Sequence, residues 1–246
     1  MVERLRLEEG LGDGASHSVS EAVDGADCII LAMPTGAMPS VVKQIGSLPA
    51  DREVLVTDVG SVKATVEHEV GDLVRSQGGR FIGSHPMAGS EKVGLEHSDG
   101  ELFVGASVIL TPTGEDSGSE HLKRLELFWS AFGARVSLLS PQEHDQIVAS
   151  ISHLPHLVAA ALVRVVLGQS EASGKYCGGG FRDTTRVSAG PDEMWSGILS
   201  DNHEAVSDRL GALITELESW KDALDTLDRD QLRVFLSEAR KLRENL

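Results

Sequence analysis

Residues 26–32 read ADCIILA, a short continuous apolar run of the kind expected for a strand buried on both faces of a parallel sheet. A second run, EVLVTDV at 53–59, repeats the signal, and 38–45 between them has helical spacing. Residues 61–76 look helical, with Val66, Val70, Leu73 and Val74 on one side. Further short strands are expected over 80–83, 107–111 and 134–138, with a helix over 119–132 before the last. Strands alternating with helices imply an α/β layered sheet, expected to be parallel.

The pattern changes at Ser140. Ser-Pro-Gln-Glu at 140–143 has the form of a helix start: Ser140 as N-cap, Pro141 at the first position, Glu143 closing a capping box. That helix is expected to reach about residue 167, with Ile147, Ile151, Leu154 and Val158 on its buried face. Pro155 should kink it or leave a carbonyl unpaired. After a loop over 168–180, residues 192–227 and 230–242 read as helices. The 246 residues therefore divide into a sheet domain, 1–139, and an all-helical domain, 140–246, packed directly together.

A sheet domain followed by a helical one suggests a dinucleotide-binding dehydrogenase, but one part is not found. Such a unit opens with a strand and a G-x-G-x-x-G turn. Gly10, Gly12 and Gly14 have the wrong spacing and follow no apolar strand, so they read as a polar loop. The 26–32 strand resembles the fourth strand of the fold, and the chain reads as beginning partway through an incomplete Rossmann-like sheet.

Acids outnumber bases 38 to 22, and protonating all 9 histidines would still leave a net charge of −7. That argues against nucleic acid or an anionic membrane as partner, though not against an anionic small substrate. No apolar run approaches the length of a membrane span, roughly 18 to 20 residues. Residues 1–10 are charged, without a signal-peptide core, so a cytoplasmic location is expected. Cys28 and Cys177, the only cysteines, make neither a disulfide framework nor a zinc site.

Four clusters carry candidate chemistry. Asp58-Val-Gly60-Ser61-Val-Lys63 ends the second strand, where open α/β sheets bind ligands; the alternative is a plain strand-to-helix turn capped by Ser61. In Gly-Ser-His85-Pro-Met-Ala-Gly-Ser-Glu91, His85 is a candidate general base, or part of a structural His-Pro turn. Ser152-His153-Leu-Pro-His156 places two histidines on one side of a helix. No carboxylate or third histidine has ligand spacing, so a core histidine and a pocket histidine are the better reading than metal. Cys177-Gly-Gly-Gly-Phe-Arg182-Asp-Thr-Thr-Arg186, followed by Met194-Trp195, suits an anion pocket, with a structural Arg–Asp pair as the alternative.

In order and spacing, DVGSVK, GSHPMAGSE, SHLPH and GGGFRDTTR…MW closely resemble the prephenate/arogenate dehydrogenase family of tyrosine biosynthesis, over residues 15 to 240 or so. The resemblance implies an NAD- or NADP-dependent oxidative decarboxylation. Prephenate would give 4-hydroxyphenylpyruvate, or arogenate would give tyrosine. It implies that His85 is the base at the ring hydroxyl and that Ser61 orients it near the nicotinamide. Arg186 would bind a substrate carboxylate, with His156, Gly179 and Trp195 at the substrate pocket. Glu91 would lie at the pocket mouth near Arg182 and, across a dimer, Asp145. Pro34, Asp58, Gly60 and Ser61 would lie along the cofactor. A homodimer through the helical domain is also implied. Two other readings are a non-catalytic remnant that binds substrate or a partner subunit, and another two-domain dehydrogenase, of a 2-hydroxy or imino acid.

Overall fold

In the computed structural model, which describes residues 12–49, 53–89, 94–168 and 171–246, β1 (Cys28–Leu31) and β2 (Leu55–Asp58) pair in parallel, Leu31 opposite Asp58. A short turn of helix, α1 (Val19–Ala22), precedes β1, and α2 (Met38–Ile45) returns the chain to β2. α3 (64–76) then leads to β3 (Arg80–Phe81), parallel to β2 on its other edge. The residues of β2 alternate between two cores, as strand geometry requires. Val54 and Val56 pack with Ile29, Leu31, Met38, Val42, Val66, Val70, Val74 and Phe81. Leu55 instead joins Ile82, Val108, Leu110, Leu122, Leu125 and Trp129. Each fully buried aliphatic side chain contributes about 1.5–3 kcal/mol.

One pairing differs from the parallel expectation. β4 (Gly83–Pro86) continues the line of β3 after Ile82 and pairs antiparallel with β5 (Ser107–Thr111), His85 opposite Ile109. A parallel return needs a crossover, usually a helix. The 87–106 connection holds among its described residues only a 3₁₀ turn at Leu95–His97, and the chain comes back in the opposite sense. α4 (Glu120–Ala131), capped by the Ser119 side chain, then restores the parallel sense for β6 (Arg135–Leu138) on β5.

α5 (Pro141–Leu167) starts with the expected capping box: Ser140 accepts from the Glu143 amide, and the Glu143 side chain accepts from the Ser140 amide. In its middle, Ala149–His153 form a π-turn, just before Pro155, where the missing N–H already interrupts the ladder. The buried face is not the expected one. Ile147 and Ile151 are 41% and 62% exposed, while His144, Asp145, Val148, Ala149, His153, His156 and Ala159 are buried. The periodicity located an apolar stripe, but the polar flank is the one that turns inward. By length and composition this helix could also cross a bilayer, contrary to the sequence reading, although its 18-residue apolar window contains two of those histidines.

α6 (Gly179–Thr185) leads through a 3₁₀ turn, Arg186–Ala189, to α7 (Asp192–Asp201). The helix expected over 192–227 is broken at Asn202, whose amide is drawn inward to the Asp145 carbonyl at 2.9 Å and His153 Nδ1 at 3.2 Å. The chain forms two compact units, Met1–Asn202 and His203–Leu246. The second is a hairpin of α8 (His203–Asp225) and α9 (Arg229–Arg243). Leu227 takes a positive φ at its turn, Asp228 caps α9, and Trp220 meets Phe235 with ring centroids 5.1 Å apart.

Candidate active site

The carboxyl ends of β1 and β2 lie side by side, and the turns that leave them abut. Pro34 precedes the 3₁₀ turn Thr35–Ala37. A side chain at Gly60 would stand 3.0 Å from Thr35 Cγ2 and 2.9 Å from Asp58 Oδ2, so the close approach requires glycine. This is the edge at which open α/β sheets take their ligands. Among the described residues no glycine-rich turn precedes a strand, so the fit to a dinucleotide rests on Pro34, Gly60 and Ser61 at this edge.

Asp58, expected along the cofactor, is fully buried. It forms an ion pair with Lys63, itself 1% exposed, and accepts from the Gly60 amide at 2.8 Å. Lys63 Nζ also donates to the Ser84 carbonyl at 2.9 Å. Burial pushes the lysine below its ordinary pKa, against the pull of Asp58. The pair therefore ties the end of β2 to β4 from inside, while Ser61 alone of this motif reaches the cavity beside it.

That cavity, about 420 Å³, is walled by Ser61, His85 and the Pro86–Gly89 loop, by Ser152 of α5, and by Arg186, Gly190, Met194 and Trp195. Four sequence-separated segments meet there. His85 is held extended on β4 by pairing with Ile109 and is 7% exposed. Its Nδ1 lies 2.7 Å from His144 Nε2, and His144 Nδ1 lies 2.7 Å from Asp145 Oδ1. Burial first, then the charge of Lys63, holds His85 well below the usual histidine pKa. It is neutral at neutral pH and can accept a proton.

Asp145, implied to act across a dimer, is instead a buried intrachain hub. It accepts from the Lys63 and Ala64 amides, both at 2.8 Å, where α3 has unpaired N–H groups. His144 drew no attention in the sequence; the adjacent His-Asp pair just after a capping box was its only signal. Ser61, implied to orient His85, shares the cavity wall, but the hydrogen bond found at His85 Nδ1 is to His144.

The other wall is more open. Arg186 is exposed, at the start of the 3₁₀ turn after α6. Trp195 stacks on His156, centroids 3.5 Å apart and planes within 11°. The indole lies so close to Gly190 that a side chain there would stand 2.5 Å from its Nε1. His156 sits behind the indole, outside the cavity wall, and burial lowers its pKa despite a hydrogen bond to the Val187 backbone. Gly179, at the exposed start of α6, does not line the cavity. Arg182 donates to the Cys177 carbonyl at 3.3 Å, and Glu91 lies outside the described residues. Among the described residues no three His, Cys, Asp or Glu side chains cluster to hold a metal ion.

A nucleotide-binding sheet edge, a buried neutral histidine and an arginine around one cavity define a dehydrogenase class of α/β protein with an appended helical region. Residues 2–138 match the family model of the prephenate dehydrogenase nucleotide-binding domain, and 140–238 match that of the prephenate dehydrogenase dimerisation domain. The chain belongs to the prephenate dehydrogenase family. It is 33% identical to a cyclohexadienyl dehydrogenase of Zymomonas mobilis over 95% of this chain and 80% of that one. It is 31% identical to a prephenate dehydrogenase of Bacillus subtilis over 98% of this chain, spanning 65% of that protein's length. Among solved structures, Aquifex aeolicus prephenate dehydrogenase with hydroxyphenyl propionate and NAD+ superposes with a TM-score of 0.88, at 32% identity over 99% of this chain and 85% of that one. Synechocystis arogenate dehydrogenase gives 0.78, at 29% identity over 99% and 85%.

Proposed function

We propose that this chain oxidatively decarboxylates prephenate to 4-hydroxyphenylpyruvate, with NAD or NADP as hydride acceptor. The observation that carries the reading is the cavity that brings His85, Ser61, Arg186 and Trp195 together from distant segments. The similarity to prephenate dehydrogenases supports it. Bound at the carboxyl edge of β1 and β2, near Pro34, Gly60 and Ser61, the nicotinamide would supply the hydride acceptor. His85 takes the ring hydroxyl proton as hydride leaves the carbinol carbon. The ring carboxylate leaves as carbon dioxide, and the ring becomes aromatic as the oxygen regains a proton. Ser61 contacts the same hydroxyl. Arg186 holds a substrate carboxylate, whose desolvation without a cation would be costly. Trp195, backed by His156, forms a flat wall for the ring.

Arogenate is the second reading, favoured by the similarity to the Synechocystis enzyme. Both substrates keep the ring carboxylate and differ at the side chain. Prephenate-dependent reduction of NAD+ and of NADP+, with arogenate in parallel, tests the assignment. Turnover of prephenate is expected; turnover of arogenate alone would move the substrate, and turnover of neither would overturn the reaction.

The protein is further proposed to be a cytoplasmic homodimer, with a nucleotide-binding domain over 1–139 and a helical domain over 140–246. Ile147, Ile151 and Val165 on α5 are more than 40% exposed in the single chain, as are Ile214, Leu217 and Leu224 on α8. A second copy covering such stripes is the use that a dimerisation-domain relationship supports.

A further inference from the structure

We propose that His144 and Asp145 are positioning residues that fix the ring tautomer of His85, with the proton on Nδ1 and the lone pair on Nε2. The inference deepens the proposed reaction, and it rests on the reading of His85 as the proton acceptor.

The carboxylate end of the hydrogen-bonded chain fixes every hydrogen along it. An ionised carboxylate only accepts. Both oxygens of Asp145 act as acceptors: Oδ1 accepts from the Lys63 amide and Oδ2 from the Ala64 amide, at the N-terminus of α3. His144, at 2.7 Å from Oδ1, must then carry its hydrogen on Nδ1. His144 is fully buried, and a neutral imidazole has one ring hydrogen, here spent on Asp145. Its Nε2 is therefore a bare acceptor. The 2.7 Å contact to His85 can be completed only by a hydrogen on His85 Nδ1. That leaves His85 Nε2 without a hydrogen.

The consequence is chemical. A free neutral imidazole prefers its hydrogen on Nε2, the tautomer in which that nitrogen cannot accept. The dyad inverts that preference before any substrate arrives. It also places a carboxylate two hydrogen bonds from the positive charge that develops when His85 takes a proton. The logic is that of an orienting acid behind a catalytic histidine, lengthened by one imidazole.

The test separates this inference from the reaction itself. Ring nitrogens of the ¹⁵N-histidine-labelled full chain report by NMR which nitrogen of His85 carries hydrogen, with no need for turnover. Assignment uses loss of the signals in His85→Asn. The expected wild-type result is hydrogen on Nδ1 and a bare Nε2. His144→Leu removes the acceptor, and kcat should fall by about a hundredfold or more with KM little changed. His144→Gln offers a carbonyl oxygen to His85 and an amide hydrogen to Asp145, so it should keep the tautomer and restore most of kcat. A wild-type His85 with hydrogen on Nε2 would overturn the inference, and so would a doubly protonated His144. Equal loss in the Leu and Gln variants, or no loss in either, would overturn it too. If His144→Leu does not fold, the wild-type spectrum and the Gln variant still decide. Failure of the wild type to turn over prephenate or arogenate would remove the reaction while leaving the tautomer measurement standing.

Discussion

His85 and Arg186 face one cavity with different kinds of support. His85 sits on a strand, nearly buried, its ring bonded to His144, and Asp145 behind it is held by the amides that open α3. Arg186 sits on a short 3₁₀ turn after a seven-residue helix, open to solvent. The group proposed to take a proton at a defined atom is built into the core, where hydrogen bonds are strong and rearrangement is costly. The group proposed to catch an anion is exposed, on a side chain long enough to reach one.

Kinetics should break the two walls apart most clearly. His85→Asn is expected to lower kcat by about 10²- to 10⁴-fold with KM largely kept. Arg186→Ala is expected to act chiefly on KM, at a cost of about 2–5 kcal/mol in substrate binding. Steady-state rates for both variants check the contrast; a kcat effect alone at Arg186 would erase it.

Stability should divide the walls a second way. Lys63→Met leaves the Asp58 carboxylate buried without its partner, which should cost about 3–5 kcal/mol in urea unfolding. Arg186→Ala should stay within about 0.5 kcal/mol of the parent in the same titration. Similar midpoints for the two variants would mean that the inner wall is no more rigid than the outer.

The smallest effect concerns pH. Burial pushes His153 down from near 6.5 to about 4, against the pull of Asp145. Between those values the unfolded chain binds a proton that the folded chain does not, so stability falls as pH drops through that window. Burial and the Lys63 charge shift His85 in the same direction. Thermal melts from pH 7 downward should show a falling Tm, with a shallower slope in His153→Gln. An unchanged slope in that variant would assign the acid sensitivity elsewhere.

The strands of the first half and the start of α5 were legible because apolar runs and caps are local signals. ADCIILA, EVLVTDV and Ser-Pro-Gln-Glu each took the form expected of them. The sense of β4 was not, since it depends on how a long connection returns. The inward face of α5 was not legible either: Ile147 and Ile151 advertise burial, yet a histidine-bearing flank lines the interior. Of the site, motif resemblance marked His85, Ser61, Arg186 and Trp195, which the fold gathers around one cavity. His144 and the hub role of Asp145 needed three dimensions, because their partners at 63, 64 and 85 are some 60 to 80 residues away.

The π-turn at Ala149–His153 has a consequence for helical phase. At about 100° per residue, an uninterrupted α-helix would set His156 about 120° around the axis from His144. A π-turn absorbs one extra residue, which brings that separation to about 20°. His144, which buttresses the candidate base, and His156, which backs the indole wall, thus fall along one line of the helix. Deleting a single residue between 149 and 153 would let the turn close to regular α-helix, eleven steps of about 100° that again leave the two histidines about 20° apart. Forcing the same residues into regular α-helix without a deletion would instead swing the stacked half of the pocket through more than a quarter of a turn.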